Sequence, residues 1–227
     1  MREANAHQSS LRDGARKALV LIPPIFAVGL TFGVLAKPLM GTIAPIVMSI
    51  IVFAGASQFA ALSVLGAGGG AAAAIAAGAL MNSRFLTMGF AIGPSLRGGA
   101  ARRALEGQPV TDASFAIAHR GEGTFDRGLL LGATIPQACA WIGGTVAGVL
   151  AGDVIGDPEA IGLDAVFPAF YLALLVAEMR SHTTSLRLPV LAAIGGAGIA
   201  LALMPFTPPG IPVIGASLAM LVGLKRS

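Results

Sequence analysis

Residues 18–36 read ALVLIPPIFAVGLTFGVLA, a run without a single charge. An α-helix rises 1.5 Å per residue, so an apolar run of roughly 18 residues or more crosses the ~30 Å hydrocarbon core of a bilayer. The polar residues 1–17 before it carry Arg2, Arg12, Arg16 and Lys17, a beginning that imitates a secretory signal. The run is too long for a signal's hydrophobic region, however. Pro23-Pro24 also suit a first helical turn or a kink better than a cleavage site. A retained first membrane helix is expected.

Further apolar stretches follow at residues 39–66, 71–96, 129–151, 165–179, 188–204 and 211–224. Composition agrees: of 227 residues, 55% are hydrophobic and 11% charged, and the mean hydropathy is +0.81, outside the range of ordinary soluble domains. The expected fold is an all-α integral membrane protein, a bundle of about six to seven transmembrane helices. It comprises a cytoplasmic N-terminal segment, residues 1–17, and a single polytopic membrane domain, residues 18–227. The 31 glycines fit helices whose backbones approach closely in lipid, where the hydrophobic effect no longer drives association.

Charge placement sets topology. The segment 97–128 holds Arg97, Arg102, Arg103, Arg120 and Arg127, whereas a later loop holds Asp153, Asp157 and Glu159. Simple alternation from a cytoplasmic N-terminus would put the arginines outside and the acids inside, against the positive-inside rule. An even number of crossings between Lys17 and Arg97 removes the conflict. Residues 97–128 then become a cytoplasmic loop and both termini are cytoplasmic, in a multi-pass protein of a bacterial-type cell (inner) membrane. One early stretch must therefore be broken or re-entrant. Two places suit a break, FAGASQF at residues 53–59 and MNSRF at residues 81–85, because each sets polar groups in mid-stretch. Irregular backbone at membrane depth survives only where it is buried in protein or lines a watery cavity. The +4 net charge belongs to these loops and implies no nucleic-acid partner. No internal repeat is convincing, and Thr111 or Asp112 is expected to cap a short helix through Ala118.

Candidate residues follow from the same breaks. Gly55, Ser57 and Gln58 combine a permissive backbone with a hydroxyl and a carboxamide, suited to a polar solute or, equally, to gluing helices together. Asn82 and Arg84 are the sharper pair: a mid-stretch guanidinium is costly and offers a planar fork for a carboxylate, unless it marks a hairpin tip or a permanent ion pair. Asp112, Gln137, Asp164 and Glu178 are candidates for coupling or gating. Gln137 also reads as a helix–helix hydrogen bond, and Glu178 as part of an interfacial ion cluster with Arg180 and His182. Cys139, the single cysteine, reads as a small core residue. No metal-ligand spacing, P-loop or hydrolase motif is present, so no cofactor is implied and the chain is not expected to be an enzyme.

FAGASQF, MNSRF with the following Pro94, VTDASFAIA at residues 110–118 and IGLDAVFPAFYLALL at residues 161–175 together resemble the AzlC family of branched-chain amino acid permeases. The resemblance covers nearly the whole chain, with Ser83 standing where the family's Asn-x-Arg pattern usually has an apolar residue. It implies an exporter of branched-chain amino acids, whose large subunit works with a small AzlD-type membrane subunit within the lipid bilayer; the missing P-loop leaves transport driven by a gradient or by partner proteins. A passive channel for small amphipathic solutes, a membrane enzyme and a non-transporting scaffold subunit remain open as readings of the residues.

Overall fold

The computed structural model describes residues 2–121, 124–155, 172, 176, 187–207 and 211–220. Helix α1 (Arg2–Ala18) runs through a single 3-10 turn, Leu19–Leu21, into α2 (Ile22–Met40). Pro23 and Pro24 stand in the first turn of α2, where a missing N–H costs nothing. Gly41, at φ 75°, ends the helix in a conformation that side chains avoid. The apolar stretch expected at residues 39–66 is two helices, α3 (Ile43–Ile51) and α4 (Gly55–Gly66). The stretch expected at residues 71–96 is likewise two, α5 (Ala71–Asn82) and α6 (Arg84–Ile92). Both proposed break points therefore interrupt helix.

In the arginine-rich segment lie α7 (Ala100–Gly107), α8 (Asp112–Ala118) and a small antiparallel ribbon of β1 (His119–Gly121) with β2 (Thr124–Phe125). Thr111 caps α8 as expected: its hydroxyl accepts from the Ser114 amide while the Ser114 hydroxyl accepts from the Thr111 amide. Then come α9 (Arg127–Ile155), α10 (Arg187–Leu203) and α11 (Ile211–Ala216), the last continuing into a 3-10 turn, Ser217–Met220. Among the described residues, two helices are long and apolar enough to cross a membrane by length and composition, the continuous helix Ser9–Met40 and Arg127–Gly152. Asp164 and Glu178 lie outside the described residues.

The chain divides into two compact units, one of Met1–Gln58 with Asn82–Gly156, the other of Phe59–Met81 with Asp157–Ser227. In the second, α10 and α11 pack together: a Cβ on Gly196 would lie 3.3 Å from the Ala216 carbonyl, a close approach of two backbones.

The first unit is built on a glycine seam between α1–α2 and α9. A Cβ on Gly29 would fall 2.6 Å from the Trp141 carbonyl, and one on Gly33 would collide with the Thr145 carbonyl. From the other side, a Cβ on Gly144 would strike the Phe26 carbonyl and one on Gly148 the Leu30 carbonyl. These contacts are reciprocal. Gly29 meets Trp141 and Thr145 as Gly144 meets Phe26 and Leu30, and Gly33 meets Thr145 and Val149 as Gly148 meets Leu30 and Val34. Lower down, Gly14 meets the Leu129 carbonyl and Gly132 the Leu11 carbonyl. Contact partners rise together along both segments, so the two helices run parallel, related by a local two-fold axis along their length. The sequence follows the symmetry: Gly-Val-Leu-Ala occurs at residues 33–36 and again at residues 148–151. The packing pairs two glycine-spaced segments, Gly29–Gly33 and Gly144–Gly148, about this axis.

Many large apolar side chains are exposed, and a few polar ones are fully buried. Ser49, Gln58, Ser114 and Thr145 have no exposed surface, while Val20, Ile43 and Phe90 are 74–81% exposed. Apolar side chains left on the outside of a chain whose interior is itself mostly apolar, with a few hydrogen-bonded polar groups, are what lipid on the outside allows. Cys139 is exposed and not a core residue. On α9 it is two residues, about 200° of helix, from the seam residue Trp141.

Candidate functional site

The first break is Val52–Ala54, between α3 and α4. Phe53 sits there at φ 43°, a left-handed conformation that a bulky L-residue adopts only where its surroundings impose it. The second break is a single turn at Ser83. The two converge on one cavity of about 400 Å³, walled by Ile51, Val52, Phe53, Ala54, Asn82, Phe85, Met88, Gly89, Ile92, Gly107, Gln108 and Val110. Its walls are mainly apolar, with Asn82 and Gln108 among the residues that line it. The Asn82 side-chain oxygen is buried and accepts no hydrogen bond among the described residues, an unpaired acceptor beside this cavity.

Phe53 is also a wall of a second cavity, of about 230 Å³, lined by Ile25, Gly55, Thr111, Asp112, Ala113, Gln137 and Trp141. Gly55 is tightly packed here: a Cβ would lie 3.0 Å from the Trp141 indole, which would have to shift slightly to admit it. Four of the residues singled out by sequence, Gly55, Asn82, Asp112 and Gln137, therefore line these two cavities. Arg84 begins α6 directly after the second break.

Ser57 and Gln58 are buried behind the cavity walls, at 2% and 0% exposure. Gln58 forms a cross-link among three helices. Its amide nitrogen donates to the Ser49 hydroxyl at 2.9 Å, and its oxygen accepts from the Trp141 indole N–H at 3.0 Å. Thr145 donates its one hydroxyl proton to the Trp141 carbonyl, so in the 2.9 Å Ser49–Thr145 contact Ser49 is the donor. The bonds linking Trp141, Gln58, Ser49 and Thr145 thereby each have a defined direction. Gln137 is similarly buried, accepting from the Thr111 hydroxyl at 3.0 Å and donating to the Ala133 carbonyl at 2.9 Å. Sequence reasoning did not find Phe53, Ser49, Trp141 or Thr145. The spacings Gly29-x-x-x-Gly33 and Gly144-x-x-x-Gly148 were the available signal, since they fix the seam that carries Trp141 and Thr145.

Beneath the cavities, two ionic clasps close the unit at the start of α9. Arg127 grips both oxygens of Glu106, at 2.8 and 2.5 Å, with Arg102 at 3.1 Å. The bidentate bond from Arg127 lowers the Glu106 pKa to about 2, against the opposing effect of burial. Asp126 caps α9 by accepting from the Leu129 amide, and also accepts from the Ser10 hydroxyl and from Arg120. Burial raises its pKa, but these bonds outweigh burial and hold it at about 2.

Comparison with known proteins agrees with this architecture. The model of the family described as AzlC protein matches residues 21–155. An "uncharacterized membrane protein" of Archaeoglobus fulgidus is 30% identical over 220 residues, covering 94% of this chain and 95% of the relative. No solved structure matches. The chain is a helical membrane protein.

Proposed function

This chain belongs to the AzlC family, and on that premise we propose that it is the large subunit of an exporter of branched-chain amino acids, gradient-driven and working with a small AzlD-type membrane subunit. The observation that carries the reading is the convergence of two helix breaks on one cavity with apolar walls and an unsatisfied Asn82 oxygen. An amphipathic zwitterion needs such a combination: apolar walls for its side chain, and polar groups or freed backbone for its ends. Arg84, first residue after the second break, is assigned the solute carboxylate because its planar fork matches two oxygens. Asn82 and the Gly55–Gln58 backbone assist it. Asp164 and Glu178 are kept as candidates for coupling.

The parallel course of α1–α2 and α9 supports the topology. Helices that run the same way through a bilayer start on the same side, so Lys17 and Arg127 share a face and an even number of crossings separates them. Both flanks are basic, which makes that face cytoplasmic. With the basic Lys225-Arg226 end read the same way, both termini are taken as cytoplasmic, which requires an even number of crossings.

The test is export from cells loaded with leucine-, valine- or isoleucine-containing dipeptides, with and without a co-expressed small partner. Overproduction of both subunits should lower intracellular branched-chain amino acids, and Arg84→Lys should weaken apparent affinity while the protein remains in the membrane. Unchanged intracellular levels would sink the exporter reading. Flux without saturation would favour a channel, and full export by this chain alone would remove the partner.

A further inference from the structure

We propose that Gln108 is the gate of the larger cavity: its side chain bridges the rim to the end of α3 and swings aside to let a solute pass. The passage of a solute rests on the transport reading, whereas the latch itself rests on geometry alone.

The latch exists because α3 is broken. In a continuous helix the Ile51 carbonyl would accept from the amide of Gly55, one turn on. Phe53, at φ 43°, turns the chain away, and Gly55 opens α4 instead. The side-chain amide of Gln108 takes the vacated place, donating to the Ile51 carbonyl at 2.5 Å from 57 residues away in the chain. A side chain from another segment thus satisfies a helix end that the break would leave bare.

Where this bond sits decides what it can do. Ile51 and Gln108 both line the larger cavity, and both are exposed, Ile51 to 65%. The bond therefore spans the rim of the cavity and not its floor. At an exposed rim water can replace either partner, so opening exchanges one hydrogen bond for another and costs little. In a dry core the same bond would be a fixed strut. The base from which Gln108 swings is steady on both sides. Glu106, two residues before it, is clasped by Arg127. Val110, two residues after it, is buried with Ile92, Leu96, Leu129 and Leu130. Opening then needs a new rotamer at Gln108 and no shift of either neighbouring helix, a motion of the fast side-chain kind.

Two measurements decide it. With Cys139→Ser as background, a cysteine at Met88 on the cavity wall reports access by a water-soluble thiol reagent. A cysteine at Ala133, 0% exposed in the seam, reports loosening of the whole unit. Gln108→Glu keeps the size of the side chain, but an ionised carboxylate cannot donate to a carbonyl. It should raise the rate at Met88 by roughly fivefold, the effect of losing one hydrogen bond of ordinary net strength, and leave Ala133 unreactive. An unchanged rate at Met88 overturns the gate. A rise shared by Ala133 overturns it as well, because the bond is then a strut. In the second measurement, Gln108→Cys with Ile51→Cys is bridged by a short bis-methanethiosulfonate reagent in cells loaded with leucine-containing dipeptides. Bridging should stop export, and a reductant should restore it. Failure of the pair to bridge, or export unaffected by the bridge, overturns the gate. If no export is seen before bridging, the transport reading falls, while the rates at Met88 and Ala133 still decide the latch.

Discussion

Gln58 has no exposed surface and both ends of its amide are engaged, one by Ser49 and one by Trp141. A polar side chain so placed fixes the positions of its neighbours rather than awaiting a solute. Replacing it with leucine would strand the indole N–H, a loss of about 1–3 kcal/mol by general measure, though membrane hydrogen bonds average nearer 0.6 kcal/mol. Stability alone is therefore a weak readout. Trp141 is the one tryptophan of the chain, so the intrinsic fluorescence of the purified chain reports this bond directly. Gln58→Leu should shift the emission to shorter wavelength, because an excited indole loses its hydrogen-bond acceptor. An unshifted spectrum would show that the bond is not made.

At the scale of elements, α2 and α9 touch through backbone, and small changes there should be disproportionately costly. Gly33→Ala and Gly148→Ala each place a methyl group on a carbonyl of the facing helix, Thr145 or Leu30. Backbone cannot step aside as a side chain can, and overpacking costs about 1–3 kcal/mol or more. Both variants should lose several degrees of melting temperature in detergent, whereas Gly89→Ala, with nothing within 4 Å of the added methyl, should lose none. Equal melting temperatures for all three would contradict the seam. The clasp that ties α7 to α9 has its own signature in pH. Glu106 is lowered from 4.5 to about 2 and Asp126 from 3.8 to about 2. A depressed carboxylate stabilises the folded form above its ordinary pKa, and that contribution fades as pH falls through the interval down to the folded value. A nitroxide at Arg103 on α7 should stay immobile from pH 7 to about 5 and gain mobility only below about 4. Glu106→Gln should be mobile already at neutral pH, and loosening of the unsubstituted protein near pH 6 would point to some other group.

For the whole molecule, the decisive quantity is which ends face the same side of the membrane. On the proposed topology Lys17 and Arg127 share one face, and Asp157 and Glu159 are expected on the opposite one. With Cys139 replaced, an impermeant thiol reagent applied outside intact cells should label a cysteine at Asp157 and spare one at Arg103. The reverse pattern would overturn the topology, and labelling of both would indicate a mixed orientation.

Composition and hydropathy alone determined that the chain is a helical membrane protein, because the cost of unsatisfied backbone in lipid leaves few alternatives for so many long apolar runs. Polar residues in mid-stretch also marked both helix breaks and the Thr111 cap, since each is a local conflict between sequence and uniform helix. Tertiary structure was needed wherever the answer depended on which face meets which. Gln58 reads the same whether it faces a solute or Trp141, and Cys139 reads the same in a core or on an exposed face. The Gly33–Ala36 and Gly148–Ala151 repeat is four common residues until reciprocal contacts give it meaning. Only packing could show that the arginine-rich segment reaches Gln137 on α9, because its charges mark where it starts and ends and carry no information about what it touches between them.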